Sequence, residues 1–389
     1  MIFMKRKATR FLLSIGLLSS MLIFSSCDEE PIPLYDRQTP VVTINWAATA
    51  DSLQDKTYDV FLSTDGKYFV QNNTGNTFFN YWWNAHALDV LVDAYERTDD
   101  AAYVQRMKAL LNGIKDKNNG QFPNEYYDDM EWLALSSLRA YDATGDAAFL
   151  DATTILWTDI KTGLNDNQGG GIAWRKSQLA YKNTPANAPA IILAARLYQL
   201  QEKEEDLELA KTLYTWLKST LVDPATGIVW DGINRTGNGE IDKNWLFTYN
   251  QGVFIGAAEE LYKITGEQAY LSDAVRTANT TMNNPELSPG GILRSENQGD
   301  GGLFKGILVR YLVRLVEQPN LAAADRSKII NFLKYNAETL YSKGIHRPSL
   351  MISPDWKTMP GNETDSSTQL SGLMLIEAMA RLEELNLLG

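Results

Sequence analysis

Apolar residues recur at intervals of three and four positions along almost the whole chain from residue 45 onward. This spacing is typical of helices that bury one face. It predicts twelve helices, with the bounds 45–63, 81–97, 100–115, 129–144, 146–162, 185–201, 204–220, 249–265, 267–281, 302–317, 322–341 and 366–386. The pattern therefore predicts an all-α protein.

The segments between the predicted helices alternate in length. Short links are predicted at 98–99, 145, 202–203, 266 and 318–321. Long loops are predicted at 64–80, 116–128, 163–184, 221–248, 282–301 and 342–365. Because a link of a few residues joins neighbouring antiparallel helices, we expect all short links on one face and all long loops on the other.

Two sets of internal echoes indicate a repeated unit. The first set recurs at intervals of about 55 to 65 residues and comprises Gly171–Trp174, Gly227–Trp230, Gly291–Arg294 and Gly344–Arg347. In the second set, Gly145 and Gly266 each precede an acidic residue, as at a helix C-terminus followed by an N-cap. Six helical hairpins that close on themselves form an (α/α)6 toroid, or barrel, whose inner helices follow the long loops. An open α-solenoid is the alternative, but the tetratricopeptide consensus spacing is absent.

The first 44 residues differ from the rest of the chain. Four basic residues precede an apolar run at 11–24, which is too short to span a membrane comfortably. Ser25-Ser26-Cys27 resembles a lipobox, and the three acidic residues after it resemble a surface-export signal. We expect a signal peptide at 1–26, lipidation of Cys27, an extended tether at 27–44 and one folded domain at 45–389. The alternative for Cys27 is a free thiol behind an uncleaved signal.

The lipobox and the acidic residues after it predict a protein held in the outer membrane of a Gram-negative bacterium by its lipid alone, and exposed at the surface.

The net charge limits the partners. Asp and Glu outnumber Lys and Arg by 48 to 36, and the predicted leader holds four of the basic residues, which leaves a net charge of 32 − 48 = −16 for the mature chain. This charge disfavours nucleic acid, anionic membrane surfaces and polyanionic glycans as partners. We expect a monomer that works beside other surface proteins of glycan uptake.

Composition also limits the chemistry. The chain has one Cys and two His, which disfavours a thiol nucleophile, a Ser-His-Asp triad and a His-rich zinc site. We expect no cofactor and no metal. A calcium site in the polar run 231–242 is the alternative, although its spacing does not match an EF-hand loop. Any catalysis must therefore use carboxylates.

The most informative stretch reads NEYYDDMEW at 124–132 and joins a polar loop to a strongly helical run. It places Asp128 and Asp129 side by side at a helix start, among three aromatic rings, at the mouth of the predicted barrel. Asp128 with Glu131 also fits a capping box, which is the structural alternative. Capping needs only one Asp, whereas glycoside hydrolysis needs one carboxyl group as acid and one as base or nucleophile. The residues themselves do not assign these roles.

The segment YYDDMEWLAL at 126–135 resembles the catalytic motif of glycoside hydrolase family 76, the endo-α-1,6-mannanases, which are (α/α)6 barrels. Further stretches that match in order are 81–86, 169–174, 181–183 with Asn187, 248–253, and 304–307 with Arg310. The resemblance covers roughly 45–386. It implies a retaining, endo-acting enzyme on the backbone of fungal-type α-mannan, with Asp128 as nucleophile and Asp129 as general acid/base.

Other side chains are candidates for sugar contacts because they are predicted near the same mouth. They are Trp82, Trp83, His86, Asn124, Tyr127, Trp174, Asn183, Asp231, Tyr249, Asn250, Gln251 and Asp300. Structural alternatives are core burial for Trp83 and His86, and N-capping for Asn250. Asp231 and Asp300 could instead solvate their loops.

Two other functions fit a helical toroid of this kind. One is a non-catalytic surface lipoprotein that captures glycans, and the other is an (α/α)6 enzyme that acts on a different, uronate-containing glycan. A binder has no use for two acids at one bond, and an enzyme on uronates would need basic residues near the acids. The acid pair and the charge balance therefore favour the hydrolase.

Overall fold

The computed structural model describes residues 43–388. This part contains twelve α-helices, which confirms the predicted all-α fold. Their bounds are α1 Trp46–Phe61, α2 Tyr81–Thr98, α3 Ala101–Lys117, α4 Tyr127–Thr144, α5 Ala147–Ile160, α6 Ala188–Gln201, α7 Glu204–Leu221, α8 Thr248–Thr265, α9 Gln268–Asn283, α10 Gly301–Glu317, α11 Ala323–Thr339 and α12 Ser366–Glu384. The predicted signal peptide and the lipidated Cys27 lie outside the described residues. Within them, no helix is both long and apolar enough to cross a membrane.

The even-numbered helices form a closed inner ring. Each of α2, α4, α6, α8, α10 and α12 packs on the next, and α12 packs on α2. The odd-numbered helices lie outside this ring, and five of them follow an inner helix through a short link. The sixth pair consists of α12 and α1, from opposite ends of the described chain, and it completes the (α/α)6 barrel.

The short links form as the sequence predicts. Gly145 and Gly266 end α4 and α8 in the left-handed conformation, with φ of 70° and 69°. The side chain of Asp146 then caps α5 by accepting a hydrogen bond from the backbone N–H of Ala148 over 3.1 Å. Glu267 occupies the corresponding N-cap position of α9 but makes no such bond, so the acidic cap is confirmed only at the first of the two links.

Glycines allow the inner helices to approach one another closely. A Cβ atom on Gly252 of α8 would lie 2.6 Å from the Cα of Leu308 on α10. One on Gly306 of α10 would lie 2.8 Å from the Cα of Ser371 on α12. Because backbone atoms cannot move aside as a flexible side chain can, these contacts fix the spacing of three inner helices.

Ion pairs link the inner helices at the short-link end of the barrel. Arg139 of α4 is paired with Asp89, Asp93 and Glu96 of α2, and Arg310 of α10 is paired with the same two aspartates. Every inner helix carries a basic residue towards its C-terminus: Arg97, Arg139, Arg196, Lys263, Arg314 and Arg381. These cations complement the negative ends of the helix dipoles that converge there. A cavity of about 470 Å³ lies among these charges.

At the opposite end the long loops are held by amide side chains of the inner helices. The backbone N–H of Ile172 donates to Asn187 Oδ1 over 2.7 Å, and that of Val229 donates to Gln251 Oε1 over 2.9 Å. Asn84 and Gln369 accept loop N–H groups in the same way. The recurrent Gly-Ile tetrapeptides at 171 and 227 therefore mark places where a long loop is fastened to the helix that follows it.

Short strands stiffen these loops. β1 (Ala173–Arg175), β2 (Gln178–Asn183) and β3 (Gly232–Ile233) form an antiparallel sheet in that order. A second pair, β4 (Ile345–His346) and β5 (Met351–Ile352), lies in the last long loop. The helical periodicity did not predict any of these strands, because each is too short to carry a pattern of its own.

Candidate active site

The first turn of α4 positions the acid pair. The helix begins at Tyr127, two residues earlier than predicted, so Asp128 as well as Asp129 lies inside the first turn. Tyr126 occupies the N-cap position and makes no side-chain capping bond. The capping-box interpretation of Asp128 and Glu131 is therefore wrong. Both aspartates remain partly exposed at the mouth of the barrel, at the positive end of the helix dipole.

Asp128 is held by two hydrogen bonds. Its Oδ2 accepts from Nε1 of Trp174 over 3.1 Å, and its Oδ1 accepts from the backbone N–H of Asp129 over 3.0 Å. Burial raises the pKa of Asp128 to about 7, and the negative charge of Asp231 adds to that rise. The two hydrogen bonds act in the opposite direction, because they stabilise the ionised form.

Asp129 has a different environment. Its Oδ2 accepts one hydrogen bond, from Nδ2 of Asn124 over 3.0 Å. Burial raises the pKa of Asp129 well above its usual value, and the charges of Asp128 and Asp300 raise it further. The pair therefore favours a state in which Asp128 carries the negative charge and Asp129 keeps its proton. One acid and one carboxylate are thereby available near neutral pH.

Asp300, just before α10, fastens two tryptophans of α2. Its Oδ1 accepts from Nε1 of Trp82 over 2.9 Å and from Nε1 of Trp83 over 2.8 Å. Trp82 is partly exposed at the mouth, whereas Trp83 is buried. The burial of Trp83 agrees with the alternative that its ring belongs to the core.

Asp231 organises the opposite wall of the mouth. It is buried and accepts from the hydroxyl of Tyr181 over 3.0 Å, from Nδ2 of Asn250 over 3.0 Å and from the hydroxyl of Tyr249 over 3.5 Å. Asn250 lies within the first turn of α8, whose N-cap is Phe247, so its capping alternative is wrong. Asp231 does not merely solvate its loop, because it joins that loop to β2 and α8.

Aromatic rings cover the floor of the mouth. Trp82 lies 5.6 Å from His86, 6.5 Å from Trp132 and 6.3 Å from Phe304, between ring centroids. Tyr249 stacks on Phe304 at 3.9 Å. Such rings offer flat apolar faces, with polar groups at their edges, for contact with sugars.

His86 lies beneath these rings. It is buried, and neither of its ring nitrogens has a hydrogen-bond partner among the described residues. Burial lowers the pKa of His86 to about 3, so the imidazole is neutral near neutral pH. It packs edge-on to Trp82 and 4.9 Å from Trp132. The structure thus places His86 under the floor of the mouth.

Three of the residues predicted to contact sugar are buried and bonded within the protein. Tyr127 is buried, and its hydroxyl lies 3.2 Å from Oγ1 of Thr162. Asn183 is buried and caps a short 3-10 turn by accepting from the N–H of Ala186. Gln251 is buried and bonded to both the N–H and the carbonyl of Val229. These groups therefore have partners inside the protein, and a contact with sugar remains a prediction for each.

The sequence also left important residues unassigned. Glu131 is fully buried three positions after Asp128, and neither carboxyl oxygen has a hydrogen-bond partner among the described residues. Burial, with the nearby charge of Asp128, raises the pKa of Glu131 well above its usual value. Its helical spacing from Asp128 was the signal that could have identified it. Tyr181 and Phe304 lie in the stretches 181–183 and 304–307 that resemble the family, but the sequence assigned neither a role, because their contacts form only in the folded chain.

Comparison with known proteins agrees with this geometry. A model of Glycosyl hydrolase family 76 matches residues 45–386. The α-1,6-mannanase GH76A of Salegentibacter sp. HEL1_6 is 48% identical and has a TM-score of 0.85, covering 87% of this chain and 100% of that one. An inactive variant of it, with two consecutive aspartates changed to alanine, has been solved in complex with α-1,6-mannotetrose.

Fungal proteins are also similar. The mannan endo-1,6-α-mannosidase DCW1 of Candida glabrata is 23% identical over 290 residues, which are 69% of this chain and 58% of the fungal protein. The mannan endo-1,6-α-mannosidase DFG5 of Saccharomyces cerevisiae is 32% identical over 48% of this chain and 44% of its own length. The chain thus spans only about half of these two curated relatives. Because the family model covers nearly the whole described structure, the chain belongs to glycosyl hydrolase family 76 and is a glycoside hydrolase.

Proposed function

We propose that this protein hydrolyses α-1,6-mannosidic bonds within the backbone of α-mannan, with retention of anomeric configuration. The observation that carries the proposal is the unequal environment of two adjacent carboxyl groups. Asp128 accepts hydrogen bonds from Trp174 and a backbone N–H, whereas Asp129 is bonded only to Asn124. This asymmetry suits a nucleophile beside a general acid.

The reaction has two steps. In the first, Asp129 donates its proton to the glycosidic oxygen while the Asp128 carboxylate attacks the anomeric carbon. The bond to the leaving sugar breaks, and a covalent glycosyl ester forms on Asp128. In the second, Asp129, now ionised, takes a proton from water, whose oxygen attacks the anomeric carbon and releases Asp128. Both carboxyl groups return to their starting state.

The surroundings of the pair suit this sequence of events. Trp174 holds one oxygen of Asp128, which leaves the carboxylate a fixed direction of attack. The charge of Asp128 raises the pKa of Asp129, and that charge disappears when the ester forms. The pKa of Asp129 therefore falls at the moment when it must change from acid to base.

The similarity to characterised relatives supports the substrate. The Salegentibacter enzyme is named an α-1,6-mannanase, and its complexes contain α-1,6-mannotetrose and α-1,6-mannotriose. Its inactive variants lack two consecutive aspartates, and this chain has such a pair at the start of α4. Four carboxyl groups at the mouth, those of Asp128, Asp129, Asp231 and Asp300, favour a neutral sugar over a uronate.

We further propose that the protein is lipid-anchored through Cys27 in the outer membrane of a Gram-negative bacterium and acts at the cell surface. The support is the basic and apolar run before Cys27 and the acidic residues after it. Labelling with a fatty acid in cells should mark the wild-type protein but not Cys27→Ala. Equal labelling of both proteins would refute the anchor.

The function is tested by incubating the protein with debranched α-1,6-mannan and sizing the products. We expect a ladder of mannooligosaccharides from the wild type and none from Asp128→Asn, which should still bind the polymer. Asp99→Asn is a matched control, because it changes an exposed aspartate at the short-link end of the barrel. Binding without products from the wild type would instead favour a capture protein.

A further inference from the structure

Exposed large apolar side chains are concentrated at the mouth of the barrel. Of the seven in the described residues, five lie in the long loops or their strands: Phe78, Leu164, Leu179, Trp245 and Met359. Trp245 differs from the others because the protein holds its ring in place. A ring that is held in place and still exposed can receive a ligand without first being ordered.

Trp245 is fixed from two directions. The guanidinium carbon of Arg235 lies 3.9 Å above the ring centroid, and the ring of Phe247 meets it at 5.9 Å and 71°. Arg235 is itself anchored, since its Nε donates to Oδ1 of Asp242 over 3.1 Å. Even so, Trp245 remains 41% exposed. Arg235 therefore covers one face of the ring, and the side chain still has surface open to a ligand.

A continuous line of rings connects Trp245 to the floor of the active site. Phe247 lies 5.2 Å from Phe304, and Phe304 lies 6.3 Å from Trp82, which is fastened to Asp300 beside the acid pair. Phe78 is more exposed, at 63%, but makes no ring contact with this line. The two exposed rings therefore provide a test and its matched control.

We propose that Trp245 is a distal sugar platform, on which a mannose unit of the substrate stacks away from the bond that is cut. This inference rests on the proposed function, because it takes α-1,6-mannan as the occupant. Sugar rings have an apolar face that packs on an indole, and the rigid ring costs little entropy on binding. A chain long enough to reach Trp245 gains this contact, and a short oligosaccharide does not. Trp245 thus makes the enzyme prefer long chains.

The test compares kcat/KM on α-1,6-mannotriose and on debranched α-1,6-mannan for the wild type, Trp245→Ala, Trp245→Phe and Phe78→Ala. We expect Trp245→Ala to lower kcat/KM on the polymer about tenfold, mainly through KM, and to change it much less on the trisaccharide. Trp245→Phe should recover most of the loss, because it keeps a ring. Phe78→Ala should match the wild type.

The outcomes separate the two claims. If the wild type cuts mannan and Trp245→Ala is unchanged on both substrates, the platform is refuted and the hydrolase stands. Equal losses on both substrates in Trp245→Ala would assign Trp245 a role in holding its loop. A loss in Phe78→Ala as large as that in Trp245→Ala would show that the effect is not specific to Trp245. Either result overturns the proposal. A wild type that cuts no α-1,6-mannan would refute the proposed function, and the platform with it.

Discussion

The indole N–H of Trp174 donates a hydrogen bond to Oδ2 of Asp128 over 3.1 Å, and it joins the β1 strand of one long loop to the first turn of α4. This contact opposes the effect of burial, since it favours the ionised form of Asp128. Together with the hydrogen bond from the backbone N–H of Asp129 to Oδ1, it also fixes the orientation of the carboxylate. The loop therefore influences both the ionisation and the orientation of the Asp128 carboxylate, the proposed nucleophile.

Trp174→Phe should move the acid limb of the profile of kcat/KM against pH to higher pH by roughly one unit. The reason is that the ionised form of Asp128 loses a hydrogen bond, which raises the pKa of Asp128. Asp128 must be ionised to attack, and its pKa of about 7 is already raised in the native site. The measurement is kcat/KM on α-1,6-mannan between pH 4 and 9. An unchanged acid limb would show that Trp174 does not control the ionisation of Asp128.

Asp231→Asn should move the same limb in the opposite direction. The negative charge of Asp231 raises the pKa of Asp128, so its removal lowers that pKa and extends activity to lower pH. Some loss of kcat is expected as well, because Asp231 holds Tyr181 and Asn250. Comparison of the two variants in one buffer series checks the sign. If the acid limbs of Trp174→Phe and Asp231→Asn moved in the same direction, the electrostatic explanation would be contradicted.

Glu131→Gln should stabilise the protein at alkaline pH. Burial raises the pKa of Glu131 in the folded state above the value of 4.5 for an unfolded chain. In the wild type the free energy of unfolding therefore falls as the pH rises from the unfolded-state pKa towards the folded-state pKa. A glutamine does not titrate and escapes this loss. Urea unfolding at pH 4 and pH 8 should give a larger advantage for the variant at pH 8. A variant less stable than the wild type at pH 8 would show that Glu131 is needed in its charged form.

Arg139→Met should destabilise the barrel by about 3 to 5 kcal/mol, because it leaves Asp89 and Asp93 with one fewer buried partner. Arg139 and Arg310 hold the pKa of Asp89 below its usual range. The stabilisation by these ion pairs is therefore present at pH values above the unfolded-state pKa of Asp89 and is lost as the pH falls through its folded-state pKa. Arg381→Met, which breaks an exposed pair, should cost less than about 1 kcal/mol. Equal costs in urea unfolding would contradict a structural role for the buried cluster.

Gly252→Ala should cost about 1 to 3 kcal/mol of stability, because the new methyl group meets the backbone of Leu308 at 2.6 Å. Gly361→Ala is the control, since a Cβ there meets nothing within 4 Å. Thermal unfolding of the two variants measures the difference. A stable Gly252→Ala protein would mean that α8 and α10 can separate without penalty.

The arrangement of the twelve helices could be predicted from the sequence because each carries its own apolar period, and because short links force antiparallel neighbours. Asp128 and Asp129 could be found for a similar reason, as they are adjacent in the chain. The pairing of α12 with α1 could be inferred only from the number of repeats, because six hairpins close into a ring. The local pattern of either helix does not indicate it.

The surroundings of the acid pair could not be derived in this way. Trp174 bonds to Asp128, and the charges of Asp231 and Asp300 act on the pair, from three different loops, and no local pattern in the sequence records these relationships. Gln251 shows a related difficulty: an amide beside polar neighbours suggested a sugar contact, and the structure shows that it fastens the backbone of Val229. Polar residues that hold loops and polar residues that hold ligands have the same appearance in a sequence.

The central claim is that Asp128 attacks the anomeric carbon while Asp129 provides the proton. The most direct measurement is proton NMR of the reducing ends released from α-1,6-mannan in the first minutes of reaction. Two displacements at one carbon restore the α configuration, so α-configured ends should appear first and the β form should follow only by mutarotation. Release of β-configured ends first would show a single displacement by water and would contradict Asp128 as the nucleophile.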